Sequence, residues 1–342
     1  MSPQSHMRRE VMEIPQAVER LLTQGAQDIQ AAARALADRD PAFMVSVARG
    51  SSDHAATYFK YAAELLAGIP VASVGPSVAS IYRRPLKLVG SACLSISQSG
   101  KSPDIVRMAR MAGEQGALTL AITNDPDSDL AQASRHTLPL LAGPELSVAA
   151  TKTFVNSVVA AIWLLAELQR DADLLAAIRD LPEALGKAVT ADWSPLRAEL
   201  TAQSSLFCLG RGPAFAISNE AALKFKETCQ LHAESYSSAE VMHGPISIVD
   251  RGFPVLALAA ADEAEAALVE VADEIAGKGA SVFATSDKAA RATRLPVVRT
   301  GHPLTDPIAL IASFYAMVEQ TALDLGISPD TPRHLRKVTE TV

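Results

Sequence analysis

An apolar strand that breaks into small residues and then into a helix occurs twice in this chain, at a nearly fixed interval. Residues 43–48 (FMVSVA) end in Arg49-Gly50-Ser51-Ser52, and residues 205–209 (SLFCL) end in Gly210-Arg211-Gly212. The pair Arg49-Gly50 returns as Arg211-Gly212, 162 positions later. Ala121 in AITND and Ala284 in ATSD lie 163 apart, and Leu138-Pro139-Leu140 and Leu295-Pro296-Val297 lie 157 apart. Three landmarks at nearly one offset predict a duplicated α/β unit. Strands that alternate with helices demand a mainly parallel sheet in each copy, covered on both faces. In such sheets ligands bind beyond the carboxyl ends of the strands.

The remaining periodicity fills in each copy. Residues 15–37 read as one helix, with Val18, Leu21, Leu22 and Ile29 as a partial apolar stripe. In the first copy, residues 53–67 form a helix, and 71–74, 91–97 and 117–123 are strands. Residues 136–141 are an edge strand because Pro139 cannot donate to a ladder. A helix spans 151–169, and a helical connector spans 174–200 with breaks near Pro182 and Pro195. In the second copy, 254–259, 280–285 and 295–298 are strands, and an acidic helix covers 263–276. The expected division is an N-terminal helical segment (1–40), a first domain with connecting helices (41–200), a second domain (201–325) and a tail (326–342).

Composition excludes several classes. The 342 residues are 49% hydrophobic and 20% charged, enough to bury a sizeable core. A formal net charge of −7 argues against a nucleic-acid binder, which needs a basic excess to displace counterions. A local anion site made of backbone N–H groups stays open. The three cysteines, Cys93, Cys208 and Cys229, have no paired spacing and fit a reduced, cytoplasmic protein. Cys93 and Cys208 sit in apolar runs and read as core. The N-terminus has no apolar signal core, and the apolar run 155–168 is too short to span a bilayer. His232 and His243 lack the spacing of metal ligands, so no metal is expected.

Two stretches can carry chemistry. The first is 97–102 (SQSGKS), with three hydroxyls and an amide between a strand and a helix that opens on Pro103. Hydroxyls, backbone N–H groups and the helix dipole together suit a phosphate. The lysine spacing is not that of a Walker A loop, and no GxGxxG is present. An ordinary polar turn with a serine N-cap is the competing reading. Gly50-Ser51-Ser52 and Thr151-Lys152-Thr153 also open helices, and a plain helix start explains each equally well. The second stretch is 219–245. Asn219 is read as the N-cap of a helix on which Glu220 and Lys224 are i and i+4, and Lys224 and Glu227 are i and i+3. From Ser235 the stretch reads as a polar loop ending in His243-Gly244-Pro245. An ammonium between two carboxylates, followed by histidines, suits proton transfer on a small molecule. A salt-bridged surface helix is the competing reading.

These motifs, in this order, resemble the sugar isomerase (SIS) domain family, and within it the isomerase half of glucosamine-6-phosphate synthase. The resemblance runs from Arg8-Arg9-Glu10 to the C-terminus, through SQSG (97–100), VAATK (148–152), EAALKFKE (220–227), HAESY (232–236), HGP (243–245) and the tail Pro332-Arg333-His334-Leu335-Arg336-Lys337. It implies two tandem SIS-type αβα sandwiches, in agreement with the repeat. It also implies roles. Ser52, Ser97, Gln98, Ser99 and Ser102 would hold a sugar phosphate, with Gly50, Ser51, Val148, Lys152 and Glu220 nearby. Glu227 would move a proton between C1 and C2, assisted by Lys224. His243 would open the ring from a neighbouring subunit of a homodimer, and Lys337 would form a Schiff base with an open-chain ketose. Arg49, Lys101 and Ala150 depart from the synthase, which has cysteine, glutamate and serine there, and the tail ends differently.

The chain starts near what would be the synthase's interdomain junction, and its first cysteine is Cys93, so no glutamine-hydrolysing domain is expected. The resemblance then implies an amino-sugar-phosphate deaminase that converts glucosamine 6-phosphate to fructose 6-phosphate and ammonia, without a cofactor. The alternatives are a galactosamine-6-phosphate deaminase, a fructosamine-6-phosphate deglycase and a non-catalytic sugar-phosphate sensor.

Overall fold

The structure is a computed structural model that describes residues 4–337. It opens with α1 (His6–Met12), α2 (Ile14–Gln24) and α3 (Ala26–Arg39). Then come β1 (Met44–Val47), α4 (Ser51–Ala67), β2 (Val71–Ser73), α5 (Ser77–Ser80), β3 (Ala92–Ile96), α6 (Pro103–Glu114), β4 (Leu118–Thr123), α7 (Asp129–Gln132) and β5 (His136–Pro139). Three helices follow: α8 (Lys152–Gln169), α9 (Ala172–Ala188) and α10 (Ser194–Leu200). The second strand set is β6 (Ser205–Gly210), α11 (Pro213–Cys229), β7 (His232–Ser237), β8 (Pro254–Ala257), α12 (Glu265–Gly277), β9 (Ser281–Ala284) and β10 (Thr293–Arg294). Short 3-10 turns at Glu240–His243 and Pro245–Ile248 separate β7 from β8, and α13 (Asp306–Asp324) closes the described chain.

The chain divides into two units. We call Gln16–Glu145 with Lys152–Arg179 the N-terminal lobe. The C-terminal lobe comprises the described residues up to Pro15, Leu146–Thr151 and Asp180–Lys337. Each lobe holds one five-stranded sheet, ordered β2-β1-β3-β4-β5 in the first and β7-β6-β8-β9-β10 in the second. Every described pairing is parallel, including Val45 beside Cys93 and Phe207 beside Val255. The two orders are the same, as the repeat predicts. Gly50 (φ 54, ψ −132) and Gly212 (φ 56, ψ −137) even share one left-handed backbone state at the N-caps of α4 and α11. That state favours glycine and explains why Arg-Gly returns at the same place.

The central strands β1, β3, β4 and β8 are buried at every position, as parallel strands covered on both faces must be. Cys93 and Cys208 are fully buried core residues. Helices α8 and α13 are apolar nearly all round, and almost all of α13 is buried.

Several expected boundaries are corrected. Residues 15–37 are two helices, α2 and α3, interrupted at Gly25. Pro182 lies inside α9 instead of breaking it, and the connector breaks before Ser194. Helix α11 starts at Pro213, so Asn219 lies within it and caps nothing. The helix ends at Cys229 on a left-handed Gln230, and HAESYS becomes β7, not a helix end followed by a loop. This strand has only one buried side chain, Ala233, so its sequence carries no apolar alternation. Its place is set by main-chain pairing with β6 from Ser205–His232 to Gly210–Ser237. The last strand is Thr293–Arg294, just before the expected 295–298.

Candidate functional site

In the order β2-β1-β3-β4-β5, the chain leaves β1 in both directions, so a crevice opens beyond the ends of β1 and β3. The two loops there are 49–52 and 97–102. The second is tightly built. Gly100 N–H donates to the Ser97 hydroxyl at 3.2 Å, and Lys101 N–H donates to the Ser99 hydroxyl at 3.3 Å. The Gln98 carbonyl accepts from the Asn124 N–H at 3.0 Å and from the Thr123 hydroxyl at 3.3 Å. Ser102 is the N-cap of α6, yet its side chain makes no cap bond. The serine N-cap of the competing reading is thus present, without its side-chain bond. Arg49 binds Asp104, which is fully buried in the first turn of α6, through Nε at 2.6 Å and through a second guanidinium nitrogen. That pair ties the 49–52 loop to the 97–102 loop, and neither residue was a sequence-level candidate for the site. Ser51 and Ser52 open α4, and Lys152 opens α8 as a buried residue.

Gly100 has φ +64, and a Cβ there would lie 2.0 Å from the Ser128 Oγ and 2.5 Å from its Cβ. Gly100→Ala is therefore expected to cost about 1–3 kcal/mol of stability through overpacking and strain. Thermal unfolding checks this, and an unchanged melting temperature would show that the loop is not set by this packing.

The C-terminal lobe has the same crevice beyond β6 and β8, with different contents. The loop after β8 reads LAAADE and carries no hydroxyl. The Ala261 N–H there donates to Asp306 at 2.9 Å, and Arg299 binds Asp306 at 2.5 Å and the Ala259 carbonyl at 3.2 Å. A buried carboxylate of the protein itself takes a backbone N–H of this loop. The hydroxyl-rich sequence of the N-terminal loop has no counterpart here.

The second candidate group lies on α11. Lys224 and Glu220 are completely buried, and the Glu227 side chain is 20% exposed. The Lys224 ammonium stands 3.3 Å from Glu220 and donates a short hydrogen bond to Glu227. Burial opposes the charge on Lys224, but the two carboxylates outweigh it and hold its pKa above the ordinary lysine value. Tyr315 of α13 donates its hydroxyl to Glu220 at 2.9 Å. The reading as a surface salt bridge is thereby corrected: i, i+4 spacing cannot distinguish an outward face from one covered by a later helix. Tyr315 was missed for the same reason, since nothing local in the sequence marks it.

The other candidates lie on other elements. His243 ends an exposed 3-10 turn, and His232 is exposed at the start of β7. The Lys337 ammonium donates to the Ser147 carbonyl at 2.7 Å, next to Val148. Glu10 of α1 is 4% exposed and accepts the N–H groups of Leu146 and Ser147, fixing the strip that Lys337 binds. Among the described residues, no group of three or more His, Cys, Asp or Glu is placed to hold a metal ion, and no helix is long and apolar enough to cross a membrane.

Residues 39–168 and 199–323 match the SIS domain family. The chain belongs to that family. It is 34% identical to a glutamine–fructose-6-phosphate aminotransferase (isomerizing) of Pseudomonas putida, over 85% of this chain and 50% of that one. The chain spans about half the length of the curated relatives it matches, and it is homologous to their isomerase part. A solved structure from Silicibacter pomeroyi, provisionally assigned as a phosphosugar isomerase, is 61% identical with a TM-score of 0.93, covering 96% of this chain and all of that one. The glucosamine-6-phosphate deaminase of Thermotoga maritima has a TM-score of 0.78 over 98% of this chain and all of that one. At 20% identity that match shows the shared fold alone.

Proposed function

We propose that this SIS protein is an isomerising deaminase of an amino-sugar phosphate, with glucosamine 6-phosphate as the first substrate to test. The observation that carries the reading is the α11 cluster, a buried ammonium clamped between a buried carboxylate and one that reaches solvent. In this reading Glu227 is the base. The neighbouring ammonium donates a hydrogen bond to it and offsets the negative charge that develops on an enolate. Glu220, itself held by Tyr315, keeps the ammonium in place.

The reaction then has three steps. His243, supplied by the partner in a homodimer, opens the sugar ring. Glu227 removes the C2 proton of the open-chain amino aldose and returns a proton to C1. The resulting C2 imine takes up water and releases ammonia and a 2-ketose phosphate. The hydroxyl-rich loop 97–102 binds the phosphoryl group, with Ser52 opening α4 beside it. Lys337, which donates to the Ser147 carbonyl, is the amine that would meet an open-chain ketose carbonyl. In this reading ammonia itself is the nitrogen species exchanged. All three cysteines are buried; burial pushes Cys93 and Cys229 up to about 12 and Cys208 higher still.

Ammonia release over a panel of hexosamine 6-phosphates and fructosamine 6-phosphates tests the reading. Glucosamine 6-phosphate should yield fructose 6-phosphate and ammonia without glutamine, and the reverse reaction should use ammonium salts, which glutamine does not replace. Cleavage of a fructosamine 6-phosphate to free amine, with no ammonia from any hexosamine phosphate, would replace the deaminase with a deglycase.

A further inference from the structure

We propose that the N-terminal lobe carries a second anion site, away from the 97–102 loop, that takes a small molecule with two linked phosphoryl groups. A cavity of about 390 Å³ opens between the segment after α5 and the C-terminal half of α6. Arg83 and Arg84 line it from one side, and Arg107 and Arg110 from the other. Glu114 is the single carboxylate in the lining, so the cavity wall carries a formal charge of +3.

The arrangement is built by the fold. Arg107, Arg110 and Glu114 are i, i+3 and i+7 on α6 and share one face. The opposite wall is held by its own backbone: Tyr82 N–H donates to the Ser77 carbonyl at 3.0 Å and Arg84 N–H to the Val78 carbonyl at 3.1 Å. Arg107 donates to the Ser80 carbonyl at 3.4 Å, which ties the two walls together and aims one guanidinium.

The charge distribution needs an explanation. The whole chain is at −7, yet none of these four guanidiniums is paired with a carboxylate among the described residues. Four like charges around one cavity repel one another, and a bound anion relieves that repulsion. A concave surface with a net positive lining raises the local concentration of anions. Guanidinium forks match phosphoryl oxygens two at a time, so four of them suit two linked phosphoryl groups better than one. The volume is that of a small-molecule site, and the charge forms a cleft rather than the extended stripe of a nucleic-acid surface. The site shares α6 with the 97–102 loop but lies on its later turns, and it is independent of the activity proposed above.

Titration calorimetry with inorganic pyrophosphate, a nucleoside diphosphate, orthophosphate and citrate tests the site. Two double variants are compared with the wild type, Arg107→Gln/Arg110→Gln and Arg83→Gln/Arg84→Gln. All four positions are exposed, and glutamine is nearly as good a helix former as arginine, so both variants should melt with the wild type. Pyrophosphate and the nucleoside diphosphate should bind at least about tenfold tighter than orthophosphate. Each double variant should lose at least about tenfold of that affinity, as expected on removing charge-assisted bonds. Comparing variant with wild type separates this cavity from phosphate bound at the 97–102 loop, which both variants retain. Pyrophosphate affinity unchanged in both folded variants, no binding at millimolar pyrophosphate, or tighter binding of citrate would each overturn the proposal.

Discussion

Glu227→Gln should lower turnover of an amino-sugar 6-phosphate by at least about 10²-fold, the low end for loss of a positioned general base. Its effect on KM should be smaller, because the proposed function assigns the phosphoryl group to another part of the chain, the 97–102 loop. The substitution is nearly isosteric and the side chain reaches solvent, so the fold should tolerate it. Steady-state kinetics, with solvent deuterium exchange at C2, read the result. Exchange that persists in the variant would mean that another group removes the proton. The same variant also reports on assembly. Mixed under subunit exchange with His243→Ala, it should regain some activity, since one site of each mixed dimer would then be intact. Proven mixed dimers without activity would place His243 in its own subunit's site or outside the reaction.

Lys224→Met should cost about 3–5 kcal/mol of stability, the usual penalty for removing one partner of a buried ion pair. It removes the ammonium beside a fully buried Glu220, whose carboxylate also accepts from the Tyr315 hydroxyl. Glu227 can turn to water, so the penalty arises mainly at Glu220. The double variant Glu220→Gln/Lys224→Met removes both buried charges and should recover part of the loss, while remaining inactive. Denaturant unfolding of the three proteins reads this, and equal losses in single and double variants would sink the argument. The pH dependence has a definite sign. Lys224 has its folded pKa raised, so its contribution is complete below the unfolded lysine value of about 10.4 and is lost as pH rises through the higher folded value. The gap between wild type and Lys224→Met should hold across neutral pH and narrow only in alkali.

The duplication was legible in the sequence because it is written in residues whose local chemistry is restrictive. Arg49-Gly50 and Arg211-Gly212 mark a left-handed N-cap that recurs with φ of 54° and 56°. The loop 97–102 was legible for a similar reason, since a hydroxyl-rich turn ahead of Pro103 is a local signal. The parallel pairing of strands in each lobe followed from that alternation and the rule for crossover connections.

What the sequence by itself determined was therefore the alternation of strands and helices, the repeat, and the spacing that puts Glu220, Lys224 and Glu227 on one helix. Tertiary structure alone decided whether that face meets water. Helix α13, about 90 residues later, buries Lys224 and Glu220 and supplies Tyr315 to one of the carboxylates. Tertiary pairing likewise made a strand of HAESYS, whose side chains carry no strand pattern, through main-chain bonds to β6. It also filled the second lobe's crevice with Asp306 and gathered four arginines from two segments around one cavity. Burial and long-range pairing depend on partners distant in the chain, and local spacing holds no information about them.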